Sequence, residues 1–321
     1  MTKKLSKQQQ RRIQANQLGK LCDYSDDEVA LVITHLGFEV LLSHKGQFIA
    51  ADWRKQTGSI ACNDRVLISK IGNDRAIIEA IFPHEKTLYK WSGRKLKPLV
   101  SHIDQLLIVI AVKPEWQSNL LDRYLIAAQA SDIDVAILCN KLDLADKAIT
   151  QDIHQRLQPY ADLGYPLFYS SLENNIGISE LSAWLAGKQT VICGQSGVGK
   201  SSLISHLIPD LNIWTQAISA ATELGRHTTT NLRRYPYHPS AHQEGAIIDT
   251  PGVRGFAIPH LSREQIISGF KDISPYTTQC KFNDCSHRHE PQCAVLAALN
   301  AKTIYPQRYD SMMQLLDEYH F

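Results

Sequence analysis

Residues 191–202 read Val-Ile-Cys-Gly-Gln-Ser-Gly-Val-Gly-Lys-Ser-Ser, and this stretch decides the fold. Gly194, four residues, then Gly199-Lys200-Ser201 is the spacing of a phosphate-binding P-loop. Glycines let the backbone curl so that successive N–H groups face phosphate oxygens. A helix opening at Lys200 adds the positive end of its dipole. The apolar run 190–193 reads as a strand and 203–208 as a helix, which is the strand–loop–helix setting the motif requires. The cradle then comprises Gly194, Gln195, Ser196, Gly197, Val198, Gly199, Lys200, Ser201 and Ser202. Lys200 is expected to reach the β- and γ-phosphates, and the Ser201 hydroxyl to coordinate Mg²⁺.

Working upstream, residues 105–112 form a continuous apolar run, as a buried parallel strand should. An amphipathic helix over 120–130 and a second buried strand over 134–139 follow. That strand ends in Asn140-Lys141-Leu142-Asp143, the N-K-x-D pattern that reads guanine. Asp143 would accept hydrogen bonds from the base N1–H and exocyclic amine. Asn140 would contact the base edge and tie the loop to the P-loop, and the Lys141 stem would lie over the ring. Adenine lacks that donor pair, so a site built on Asp143 selects GTP and GDP over ATP. After a helix over 150–161 and a strand over 166–169, Ser170-Ser171 occupies the place of a second base-binding loop.

Downstream, residues 223–230 read Glu-Leu-Gly-Arg-His-Thr-Thr-Thr, a segment suited to a switch that closes on Mg²⁺ and the γ-phosphate. Thr229 is the choice for the Mg²⁺ role, with Thr228 and Thr230 as alternatives. A strand over 245–248 delivers Asp249-Thr250-Pro251-Gly252. There Asp249 would hold Mg²⁺ through water and the Gly252 N–H would meet the γ-phosphate. GTPases ordinarily run P-loop, switch threonine, D-x-x-G, N-K-x-D, Ser loop. Here the last two come first, so the chain is circularly permuted.

The flanks carry their own chemistry. Cys280, Cys285, His287 and Cys293 place three thiols and an imidazole within 14 residues, enough for a tetrahedral structural zinc site, with His289 an alternative to His287. Seven cysteines and no export signal argue against a disulfide framework. At the other end, residues 1–22 carry six Lys or Arg and no acid, reading as a flexible solubilising or RNA-binding arm. Short strand-like runs over 35–100, separated by turns such as Lys45-Gly46, suggest a small β-barrel, an OB-fold or an SH3-like barrel. Its exit, 84–97, interleaves Lys86, Lys90, Arg94, Lys95 and Lys97 with Tyr89 and Trp91, as phosphate contact and base stacking require. Residues 225–243 hold three Arg or Lys and three His without an acid, which suits ordering by RNA phosphates. No apolar run approaches a membrane span.

The expected architecture is therefore multi-domain. A basic arm (1–34) precedes an OB-fold-like barrel (35–100), a central permuted α/β P-loop GTPase domain (101–270) and a C-terminal helical zinc-binding domain (271–321). Together the permuted order, Gly225-x-His227-Thr-Thr-Thr230, Asp249-x-Pro-Gly252 and the Cys-Cys-His-Cys spacing resemble the family of small-ribosomal-subunit-dependent GTPases called RsgA or YjeQ. The resemblance implies a cytoplasmic, monomeric GTP hydrolase. It would be stimulated by the 30S subunit, grip 16S rRNA during late subunit maturation, and carry one structural zinc. It also offers His227 as the residue that positions water, because Val253 stands where many GTPases place glutamine. One departure is Asn63, where the family usually has glycine before Asp64. The competing expectation is an RNA-binding assembly scaffold that senses GTP with little hydrolysis.

Overall fold

A computed structural model describes residues 19–36, 39–54, 57–72, 75–92, 95–221, 232–240, 243–251, 256, 258 and 261–319. Five strands form the first element: β1 (Val29–His35), β2 (Val40–His44), β3 (Gln47–Trp53), β4 (Arg65–Ile71) and β5 (Arg75–Ile81). They close into a barrel in the order β1-β2-β3-β5-β4. The β3–β5 pair is parallel and β1–β4 antiparallel, which is the partly Greek-key closure of an OB-fold. Alternating apolar residues fill it, among them Val32, Val40, Leu42, Ile49, Val66, Ile68 and Ile78. Lys45 and Gly46 both have positive φ, so β2 and β3 are joined by the two-residue turn that matches strand twist. Register shifts in β1 (Val32/Thr34) and β4 (Leu67/Ile68) bend the strands round the barrel.

The barrel's first strand falls inside the stretch expected to be the arm. Val29-Ala-Leu-Val-Ile-Thr-His has the apolar alternation of a strand, and Ser25 opens it with a capping box over Asp26–Glu28. The basic composition of residues 1–22 masked that pattern. The exit segment is a hairpin, β6 (Leu88–Ser92) with β7 (Lys95–Val100).

The α/β region runs β8 (Gln105–Ala111), α1 (Ser118–Gln129), β9 (Asp134–Asn140), α2 (Lys147–Asp162), β10 (Leu167–Tyr169), α3 (Ile178–Leu185), β11 (Gln189–Cys193), α4 (Lys200–Leu207), α5 (Leu211–Ala221), β12 (Arg233–Tyr237) and β13 (Gly245–Asp249). Strand order is β10-β9-β8-β11-β13-β12. Every residue of β8 is buried, as a strand covered on both faces must be. The order reverses between β8 and β11, and α/β sheets bind ligands at the carboxyl ends of strands beside such a reversal. β12 occupies part of the stretch expected to be loop; its Tyr235 and Tyr237 are buried and it pairs antiparallel with β13.

The C-terminal helices are α6 (Arg263–Ser268), α7 (Ser274–Thr277), α8 (Ala294–Asn300) and α9 (Pro306–Glu318). Helix α9 packs on α1 through Arg308, which is buried beside Asp122 and forks onto Asp272 at 2.9 and 3.0 Å. Contacts gather the chain into two compact units interleaved in sequence. One takes the described residues up to Asp104 with Leu185–Val191 and Ser201–Gly252; the other takes Gln105–Trp184, Ile192–Lys200 and the described residues after Gly252.

Candidate functional site

Three glycines shape the loop after β11. Gly194 has φ 144°, and a Cβ there would lie 2.1 Å from the Val109 carbonyl oxygen. Gly197 has φ 83°. Gly199 has φ 94°, with its virtual Cβ 2.5 Å from Nδ2 of Asn140. The loop therefore passes so close to β8 and to the end of β9 that no side chain fits at two of the three positions. Lys200 Nζ donates to the carbonyls of Gly194 and Gln195, both at 2.8 Å, which holds the ammonium over the loop. Val198 is buried beneath it, whereas Ser196, Ser201 and Ser202 are exposed.

The Asn140-Lys141-Leu142-Asp143 turn stands against the same loop. Asn140 is 1% exposed at the end of β9. Its Nδ2 donates to the Val198 carbonyl at 2.9 Å, and its Oδ1 accepts from Ser170 Oγ at 2.9 Å. The tie between the two motifs is thus a direct hydrogen bond. Lys141 adopts the left-handed backbone region at φ 64° and donates through Nζ to Gly197 O and to Lys113 O. Asp143 lies in the following turn with its side chain exposed, and its Oδ1 accepts from Ser171 Oγ at 2.7 Å. An exposed carboxylate held at one oxygen keeps the other for a pair of N–H donors.

Ser170 and Ser171 act as supports for Asn140 and Asp143. Ser171 is itself fixed by backbone bonds to Ile176. Gly177 closes that loop at φ 72°, where a Cβ would meet the Tyr169 carbonyl oxygen at 1.9 Å. Sequence reasoning did not single out Gly177 or Lys113, although the close approach of Gly177 to Tyr169 is the kind of contact an isolated loop glycine signals. The cysteines beside the site are inert: burial pushes the Cys139 thiol up to about 12 and raises Cys193 as well.

Asp249 ends β13, opposite Arg233 of β12. His227, Thr229 and Gly252 lie outside the described residues, as do Thr228, Thr230 and Val253. Arg234, one of the basic residues of 225–243, donates from Nε to Asn63 of the barrel at 2.9 Å and from Nη2 to Gln189 at 3.2 Å.

Cys280, Cys285, His287 and Cys293 converge, their ligand atoms all within 4.8 Å of one another. Tetrahedral zinc with bonds of about 2.3 Å to sulfur and 2.05 Å to nitrogen sets S···S edges near 3.8 Å and S···N edges near 3.6 Å. Cys280 and Cys293 sulfurs are 3.8 Å apart, and each is 3.6 Å from Nδ1 of His287. The donor set thus fits zinc, with Nδ1 as the imidazole ligand. Burial, then the Arg263 charge, lowers the affinity of His287 for a proton and favours the neutral form a metal takes. The loop is braced from outside. Glu290 accepts the backbone N–H groups of Ser286, Arg288 and His289, Arg263 donates to Cys285 O, and Tyr309 Oη donates to His287 O. Cys293 also caps α8.

A P-loop tied to an Asn-Lys-Leu-Asp turn that precedes it in the chain defines a circularly permuted, guanine-nucleotide-type P-loop protein. The family described as RsgA GTPase matches residues 81–259. Relatives named small ribosomal subunit biogenesis GTPase RsgA include one from Dichelobacter nodosus, 52% identical over 98% of both chains. Another, from Bordetella pertussis, is 39% identical over 80% of this chain and 85% of its own. The chain belongs to the RsgA GTPase family. Among solved structures, YjeQ from Thermotoga maritima superposes with a TM-score of 0.68 at 26% identity, over 91% of this chain and 98% of its own. YloQ, a circularly permuted GTPase, shares the fold with a TM-score of 0.65 at 24% identity, over 93% and 98%.

Proposed function

We propose that this protein hydrolyses GTP to GDP and phosphate while bound to the small ribosomal subunit late in its maturation, and that the 30S subunit raises turnover. The observation that carries the reading is the Asn140–Val198 hydrogen bond, which fastens the guanine-reading turn to the phosphate loop. Asp143 accepts from the base, and Lys200 leaves the Gly194 and Gln195 carbonyls to meet the β- and γ-phosphates. Ser201, Thr229 and Asp249 are the residues that would hold Mg²⁺, which supplies charge neutralisation on the phosphates. His227 orients the attacking water, whose oxygen bonds to the γ-phosphorus as the bond to the bridging oxygen breaks. Cys280, Cys285, His287 and Cys293 would hold zinc with no open coordination position, so its contribution is structural.

The RNA-facing part of the reading, contact with 16S rRNA, rests on the β6–β7 hairpin. Lys90 lies directly opposite Lys97, a like-charged cross-strand pair that an intervening phosphate would relieve. Trp91 is 48% exposed on the other face, available for stacking on a base. The test is GTP turnover by the purified chain with 30S subunits, with 50S subunits and with neither. Stimulation by 30S alone is expected; equal rates in all three refute the reading. His227→Ala separates hydrolase from GTP-sensing scaffold, since a scaffold would lose no 30S-stimulated turnover.

A further inference from the structure

We propose that Asn63 is a positioning residue that couples the barrel to the phosphate side of the nucleotide site through Arg234. Asn63 is 3% exposed and sits in the left-handed backbone region at φ 66°. Its Nδ2 donates to the carbonyls of Ser101 and His102 at 3.0 and 3.1 Å, and its Oδ1 accepts from Arg234 Nε at 2.9 Å. The amide cannot be turned over. A flip would set its oxygen against two carbonyl oxygens and its NH₂ against a guanidinium.

Arg234 is placed to act in two directions. Its Nη2 donates to Gln189, the first residue of β11, which leads into the P-loop. It also lies on β12 opposite Ile248, next to the pair Arg233–Asp249. A second tie, Thr34 Oγ1 to the Leu232 carbonyl at 2.7 Å, joins β1 to the start of the same strand. Both of these acceptors are side-chain amide oxygens, and hydrogen bonds to them depend on orientation. Burial disfavours the charged form of Arg234. A small displacement of the Asn63 turn therefore changes where β12 sits along β13. Asn63 touches neither nucleotide nor reacting atoms, and acts only through Arg234.

The proposal rests on the reading that 30S subunits raise turnover, and its test separates the two. Asn63→Gly admits the same left-handed backbone and removes the side chain's bonds to Ser101, His102 and Arg234. With the full chain, basal turnover, affinity for a fluorescent GDP analogue, melting temperature and 30S-stimulated turnover are measured for wild type, Asn63→Gly, Arg234→Gln and the double variant. The expected result is that Asn63→Gly keeps basal turnover and affinity for the GDP analogue, lowers the melting temperature through its lost buried hydrogen bonds, and lowers the ratio of stimulated to basal turnover by at least about fivefold. The double variant should lose no more of that ratio than the larger single loss, since both remove one connection. An unchanged ratio in Asn63→Gly, with wild type stimulated, overturns the coupling alone. A parallel fall in melting temperature, basal rate and ratio assigns Asn63 a merely structural role and also overturns it. A wild type that 30S does not stimulate overturns both readings.

Discussion

Replacing Gly199 by alanine tests the joint between phosphate loop and base loop most directly. The added Cβ would sit 2.5 Å from Asn140 Nδ2, where ordinary contacts begin at 3.4 Å, so the amide must retreat by about 0.9 Å. That retreat breaks the bond to the Val198 carbonyl, which is worth about 1–1.5 kcal/mol when both partners are buried. The φ of 94° adds a left-handed strain of about 1–2 kcal/mol for any residue with a Cβ. Together about 3 kcal/mol is lost, so a fluorescent GDP analogue should bind about 100-fold more weakly in equilibrium titration. The double variant Gly199→Ala with Asn140→Ala removes the atom that is struck. Its affinity should exceed the additive expectation, because only the backbone strain is new to it. Binding by Gly199→Ala within about threefold of wild type would refute the close approach.

Asp143→Asn presents an amide donor to guanine's own donors; GTP affinity should fall by about 100-fold or more while XTP, which offers an acceptor there, gains, as competition titrations would show. Purified protein should contain one zinc per chain, and Cys293→Ser, which removes both a ligand and the cap of α8, should weaken zinc binding by at least about 100-fold, read by metal analysis and by protease cleavage within residues 280–293. Arg308→Met strands Asp122, which is wholly buried, and should cost about 3–5 kcal/mol near neutral pH in urea unfolding. Burial pushes the Asp122 carboxyl up to about 6 even beside Arg308. A raised carboxyl pKa gives stability that is complete below the unfolded value of 3.8 and is lost as pH rises through the folded value. The variant raises that folded value further, so its deficit should shrink on acidification toward about pH 5; a constant deficit would refute the assignment.

The elements that were legible in the sequence are those whose chemistry is compressed into consecutive residues. Gly194 to Ser202, Asn140 to Asp143 and Cys280 to Cys293 each carry their spacing with them, and the folded chain brings each set together. The strands β8 and β9 were legible because burial on both faces leaves an unbroken apolar run. What could not be read depends on partners far away in the chain. β12 is polar at Arg233 and Arg234, and only pairing with β13 and the barrel makes it a strand. β1 is hard to read because a basic run and an acidic capped turn at Ser25 precede its short apolar alternation. The supporting roles of Ser170 and Ser171 appear only once a loop has folded back on β9.

Lys141 and Lys200 both spend their ammonium groups on carbonyls of the phosphate loop. The loop therefore carries its own counter-ions as splints. On the proposed reading, nucleotide binding is an exchange in which phosphate oxygens take over Lys200 from the Gly194 and Gln195 carbonyls. On that same reading, selectivity among ligands follows from what each does at Asp143, and less from how tightly it grips the phosphates.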